Sequence, residues 1–191
     1  MNREHWSDKF KRLASCPKAL VWARTQESYD TAWQSCERGD WMLRLLSRLS
    51  NSEDSRKKLV MAACECARSA LVYIPELETR PRRCIETTES WTRGEATLEQ
   101  VEVAAEAARA ARPTETDDPT SADWAAEAAR TAGGAAFATA WAAEASAWAA
   151  AEAVRASEAL PPTDAARAAT LKKCADIVRR HYPEPPDYKG R

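Results

Sequence analysis

Between Glu95 and Leu160 alanine dominates the chain, punctuated by glutamate and arginine, and that stretch excludes most architectures. Alanine loses no side-chain entropy on entering a helix, so a long run of it predicts helix. Such a helix carries little bulk and must borrow its packing from neighbours or partners. Trp124, Trp141 and Trp148 are its large side chains, and Phe137, Trp141 and Trp148 share a face at helical spacing. Gly133-Gly134 costs about 1 kcal/mol per glycine relative to alanine and marks a kink or a close backbone crossing. No segment alternates apolar and polar residues with β-branched enrichment, and Ala, Glu, Lys and Arg are poor strand residues. The prediction is an all-α fold: a compact multi-helix bundle of about seven to nine helices with a long Ala-rich helical segment.

Local punctuation divides the rest. Short helices are expected before Gly39, with Pro17 in a first turn. Asp40 stands where an N-cap is wanted, ahead of the apolar stripe of Trp41, Met42, Leu45, Leu46 and Leu49. Ser52 caps a helix whose inner face runs from Leu59 to Ile74, and Pro75 stops it. Pro81 opens the next helix, with Gly94 as its left-handed terminal residue. Thr97 with Gln100 three residues on forms a capping box. Pro113 to Pro119 reads as a loop, and Thr163 caps a last helix that Pro183 ends. Residues 1–112 thus form an N-terminal bundle of short helices and 113–121 a loop. The Ala-rich and C-terminal helices span 122–182 and pack on 1–112 as one domain; 183–191 is a loose tail.

Charge is distributed unevenly: residues 1–94 hold 17 Lys+Arg against 13 Asp+Glu, 95–160 hold 4 against 12, and 161–191 hold 7 against 4, for a net −1. The middle is an acidic block, and a near-neutral chain has no global basic field to draw in nucleic acid, so no direct nucleic-acid partner is expected. No apolar run approaches the roughly 20 residues needed to span a bilayer. Met1 to His5 is polar and leads into no apolar segment, and the six cysteines lack paired C-x-x-C spacing. Reduced thiols in a cytoplasm are the expectation, the host cytoplasm if the gene is phage-borne.

Chemistry finds few footholds. His5 and His181 stand at opposite ends of the chain, so a histidine-based triad or metal site needs both ends to converge. Cys64 and Cys66 sit about 200° apart around a helix, facing different neighbours, which suits buried core thiols better than one zinc. Arg56-Lys57-Lys58 and Arg80, Arg82 and Arg83 read as solvated faces. There is no Gly-rich phosphate loop, H-E-x-x-H or calcium loop. No catalytic residue, metal or cofactor is expected, and the chain reads as a non-enzyme. Trp22, Trp33, Trp41 and Trp91 lie on stripes and read as core; Trp124, Trp141 and Trp148 fill the bundle or face a partner.

Several strings carry a likeness: Cys36-Glu37-Arg38-Gly39-Asp40-Trp41, then Arg56 through Arg68, then Arg80-Pro81 through Trp91-Thr92-Arg93-Gly94, and the closing Cys174-Ala175-Asp176-Ile177-Val178-Arg179. With the Ala-rich block, they make the chain resemble the helical putative immunity protein family, of bacterial toxin-immunity type and also phage-borne, over about residues 33–182. The resemblance implies a protein that neutralises a cognate protein effector by binding it, and it brings no catalytic residues. The partner-binding residues expected are Glu102, Glu106, Trp124, Glu127, Trp141, Glu144 and Trp148. The alternatives are a phage-encoded anti-defence inhibitor of anti-CRISPR type using the same acidic helical surface, a small-molecule-binding helical protein, and a homodimer built through the aromatic helix.

Overall fold

A computed structural model describes residues 5–10, 16–111, 120–137 and 164–188, with the single positions 146, 150 and 152. A 3-10 turn at Trp6–Phe10 precedes α1 (Pro17–Ala23), α2 (Tyr29–Ser35), α3 (Gly39–Leu49) and α4 (Glu53–Arg68). A 3-10 turn at Leu71–Tyr73 leads to α5 (Arg80–Thr92), α6 (Leu98–Arg109) and α7 (Ser121–Gly134), which passes into a 3-10 turn at Ala135–Phe137; α8 is Asp164–His181. Among the described residues there is no strand, and the fold is all-α as the sequence predicts.

Most helix starts follow local chemistry. Ser52 accepts from Ser55 N–H at 3.2 Å while Ser55 Oγ accepts from Ser52 N–H at 3.1 Å. Thr97 and Gln100 form the predicted reciprocal box, and Thr120 and Asp123 form another. Gly94 has φ +80°, with Glu95 N–H donating to Ser90 O and Gly94 N–H to Trp91 O, both at 2.9 Å, the paired bonds of a Schellman ending. Two boundaries differ from expectation. Asp40 is not the N-cap of α3; Arg38 takes that position, and the Asp40 carboxylate is buried and held by Arg38. The helix capped by Ser52 ends at Arg68 rather than Ile74, because the chain turns at Ser69 and tucks Leu71 into the core. Thr163 lies outside the described residues.

Helix α4 is the axis of the core. Leu59, Val60, Ala62, Ala63, Cys64, Cys66 and Ala67 are buried over somewhat more than half of its circumference, and α3, α5, α7 and α8 pack against it. On one side α5, α6 and α7 pack mutually; on the other, α3 lies across α8. Within the Ala-rich segment α7 is core: Ala125, Ala126, Ala128, Ala129 and Ala132 are fully buried. At Gly133 α7 crosses α5 so closely that an added Cβ would lie 3.1 Å from Cys84 Sγ and 3.3 Å from Ala105 Cβ. Gly133 thus marks a close crossing, after which the helix tightens into its 3-10 turn.

The amino-terminal helices are clamped by the end of the chain. Arg179 Nη1 donates to Trp33 O (3.2 Å) and Cys36 O (2.7 Å), and Trp33 Nε1 donates to Tyr182 O (2.9 Å). Residues 183–188, where the sequence suggests a loose tail, make defined contacts. Gln34 Nε2 donates to Pro183 O, Tyr29 Oη donates to Pro186 O, and the Tyr188 ring lies 4.7 Å from Phe10 and 5.3 Å from Tyr29 between centroids.

Candidate functional site

The surface that stands out is the outer face of α6. Val101, Ala104, Ala105 and Ala108 fall at helical spacing and turn inward, so Glu99, Glu102, Val103 and Glu106 are left on the exposed side. Val103 is 66% exposed, an apolar side chain among three carboxylates. Glu99 and Glu102 have no ion-pair partner among the described residues, and Glu106 meets Arg109 only at 3.7 Å with both side chains mostly in solvent. Like charges three and four residues apart on one helix destabilise it by a few tenths of a kcal/mol per pair, which partly offsets the favourable place of Glu99 in the first turn of α6. Beside it, a cleft of about 660 Å³ runs between α5 and α6, floored by Ala104 and Ala107 and edged by Arg83, Glu86, Glu99 and Val103.

The expected partner-binding residues separate. Glu102 and Glu106 lie one turn apart on the exposed side of α6. Glu127 lies on α7, where it is engaged by Arg130, with Arg130 Nε donating to Glu127 Oε2 at 2.8 Å; the carboxylate of Glu106 acts on the same guanidinium. Trp124 is half-buried and packs against the core. Trp141, Glu144 and Trp148 lie outside the described residues. Sequence spacing also held two members that were passed over: Glu99, one turn before Glu102 and Val103, and Val103 itself, which falls off the inner stripe of its own helix.

The other clusters are occupied with packing. Cys64 faces Cys84 and Glu89 of α5, while Cys66 Sγ reaches Cys174 O of α8 at 4.0 Å, so the two thiols point to different neighbours. His181 Nε2 lies 3.0 Å from Glu65 Oε2, and His5 Nδ1 lies 2.8 Å from Ser7 Oγ. Among the described residues no group of three or more His, Cys, Asp or Glu side chains is arranged to hold a metal ion. The basic runs lie on solvated faces, as their sequence suggests: Lys58, Arg80, Arg82 and Arg83 are exposed, and Arg56 and Lys57 are half-buried. Lys57 pairs with Glu53 at 2.7 Å, Lys58 lies 4.4 Å over the Tyr182 ring, and Arg80 is held by Glu78 and by Ala110 O.

A cluster that spacing alone does not reveal joins Arg38, Asp40 and Trp41. Arg38 grips Asp40 through Nε–Oδ1 (2.8 Å) and Nη2–Oδ2 (2.5 Å), and its guanidinium lies 4.4 Å over Trp41. Asp40 is 2% exposed, and the ion pair raises the Arg38 pKa further. This grouping fixes the start of α3 and offers no group for reaction.

Burial governs the thiols. It pushes Cys36 and Cys84 from 9.0 up to about 11, and Cys64 and Cys66 upward as well. A thiol whose pKa is higher folded than unfolded contributes its full stability below the unfolded value and loses it as pH rises through the folded one. Between pH 9 and 11 the unfolding free energy measured in urea should therefore fall, by on the order of 1 kcal/mol per such thiol at pH 10, and Cys84→Ala should remove its share of the slope. Native-state alkylation at pH 8 should label the half-buried Cys16 and spare the five buried cysteines until the chain unfolds. Rapid native labelling of Cys64 or Cys66 would contradict this packing.

Compared with known families, residues 49–182 match the family described as Imm-5 like putative immunity protein. No curated protein and no solved structure matches the chain. No helix among the described residues is long and apolar enough to cross a membrane.

Proposed function

The chain belongs to the Imm-5 like putative immunity protein family, and from that premise we propose that it is a non-enzymatic inhibitor which neutralises a cognate protein effector by binding it through the acidic outer face of α6. The observation that carries the location is the stripe of Glu99, Glu102 and Glu106 around exposed Val103. An apolar contact ringed by charge has the anatomy of an interface, with a small dry centre and a polar rim. The carboxylates repel one another along the helix, and a basic partner relieves that repulsion on docking. A toxin with a cationic working surface, such as a nuclease cleft, is the complementary partner. Opposite fields across such an interface raise the encounter rate more than they deepen the affinity.

The test captures the effector from the native host with this protein as bait, then titrates it, purified, against wild type and the triple variant Glu99→Gln, Glu102→Gln, Glu106→Gln. Association at low salt should slow about tenfold, and its dependence on salt should flatten. The variant's melting temperature should change by no more than about 3 °C, because relief of the like-charge pairs is offset by loss of Glu99 from the first turn of α6 and of Glu106 beside Arg109 and Arg130, which separates a lost interface from a damaged fold. An unchanged association rate and salt slope would dismiss this face.

A further inference from the structure

We propose that the face shared by the Trp6–Phe10 turn and α2 is a recognition groove for proline-rich extended segments. The chain's own residues 183–188 close it in cis, and a proline-rich segment of a protein partner enters by displacing them. The seated segment shows what chemistry the groove selects. Trp33 Nε1 donates to Tyr182 O at 2.9 Å, Gln34 Nε2 to Pro183 O at 2.7 Å and Tyr29 Oη to Pro186 O at 3.2 Å. Beyond these bonds the Tyr188 ring packs on Phe10 and Tyr29, and Trp6 backs both, with its ring centroid 5.9 Å from Phe10 and 5.7 Å from Tyr29.

Proline suits this arrangement for a physical reason. It has no backbone N–H, so Pro183, Pro185 and Pro186 cannot donate to a ladder, and each pushes the residue before it toward extended backbone. Such a segment presents carbonyls and flat apolar rings, and it is extended before it docks. Side-chain donors on an aromatic wall read those carbonyls, which is how proline-rich ligands are held in aromatic-lined grooves. Pro185, Pro186 and Tyr188 are half-buried, whereas Glu184 and Asp187 are exposed, so recognition rests on the prolines and the closing aromatic ring.

The strap can leave without disturbing what precedes it. Tyr182 is fixed by α4, where its Oη donates to Ser55 O at 3.3 Å and Lys58 Nζ lies 4.4 Å over its ring. Arg179 holds the carbonyls of Trp33 and Cys36, so α2 stays on α8 when the strap departs. No residue from 183 to 188 is fully buried. Groove and strap flank the matched family segment, 49–182, so this contact lies outside it and is independent of the α6 face. A strap tethered at Tyr182 acts at an effective concentration on the order of millimolar, as short flexible tethers do. A free ligand competes poorly against it, while a partner already held elsewhere on the protein competes on equal terms.

The probe is a synthetic peptide with the sequence of residues 183–188, titrated by calorimetry into full-length wild type and into the full-length variant Pro185→Gly, Pro186→Gly, Tyr188→Ala, whose strap is weakened. The variant should bind it at least tenfold more tightly than wild type, because its groove is open for a larger fraction of the time. The Gln34 side-chain amide resonance, assigned with Gln34→Ala, should shift on binding. Tyr29→Phe in the weakened background should lower the affinity about threefold or more. A peptide with alanine for every proline should bind at least tenfold more weakly, having lost its preorganisation. Tyr188→Ala alone replaces the triple variant if the latter unfolds. The inference is overturned by a weakened variant that binds no better than wild type, by an alanine peptide that binds as tightly, or by binding that leaves Gln34 unmoved. Wild type should scatter light as a monomer; a dimer that grows with concentration and that excess peptide dissociates would seat a second copy's strap in the groove and overturn the partner assignment.

Discussion

Gly39→Ala is expected to destabilise the protein by about 3 kcal/mol or more, although alanine is by up to about 1 kcal/mol the better helix former. Gly39 opens α3 where that helix crosses α8. A Cβ there would lie 2.5 Å from Cys174 Cβ, 2.6 Å from Ala175 N and 2.7 Å from Cys174 C. Two of these atoms are backbone, so no side-chain rotation relieves the overlap; α3 must move off α8, and the clasp of Arg179 on the carbonyls of Trp33 and Cys36 moves with it. The Tm should fall by about 6–12 °C for a chain of this size. Gly94→Ala makes the useful comparison. That residue has nothing within 4 Å of an added Cβ and a φ of +80°, so its cost comes from backbone conformation alone, about 1 kcal/mol. Cys174→Gly in the Gly39→Ala background should rescue only partly, because the backbone contacts remain. An alanine variant as stable as wild type would mean that the two helices do not cross this closely.

The contrast between these glycines shows which parts of the fold were legible. Gly94, the Thr97 and Gln100 box, Ser52 and Pro81 act on their own helix ends, and local chemistry specifies them. Gly39 answers to Cys174, far along the chain, and nothing near it in sequence says so. Asp40 misleads for the same reason: it has the composition of a cap, but a neighbouring guanidinium takes the carboxylate into a crevice under Trp41. The end of α4 is set by burial of Leu71 in the core rather than by Pro75. In the candidate face, the charge count singled out Glu102 and Glu106, and both are exposed on α6. It could not distinguish a carboxylate left in water from one engaged by Arg130, as Glu127 is. Net charge counts both alike.

Arg38→Met should cost about 3 kcal/mol, and the loss should be strongly coupled to Asp40. Removing one partner of a buried ion pair leaves the other charge without water or counterion, a penalty of roughly 3–5 kcal/mol in enclosed sites. The Asp40 side chain is 3% exposed while that of Arg38 is 32% exposed, so water reaches the pair from the arginine side and the lower end of that range applies. The positive end of α3 offsets part of the stranded charge, and the lost stacking on Trp41 adds to the cost. A double-mutant cycle separates these contributions. Asp40→Leu alone strands a partly solvated guanidinium, which costs less than stranding the carboxylate. Arg38→Met with Asp40→Leu leaves neither charge buried, and the double variant should be more stable than the sum of the single losses implies by about 1.5 kcal/mol or more. Strict additivity in urea unfolding would show instead that Arg38 acts through its contact with Trp41 and that the carboxylate finds its compensation in the amides of the first turn of α3.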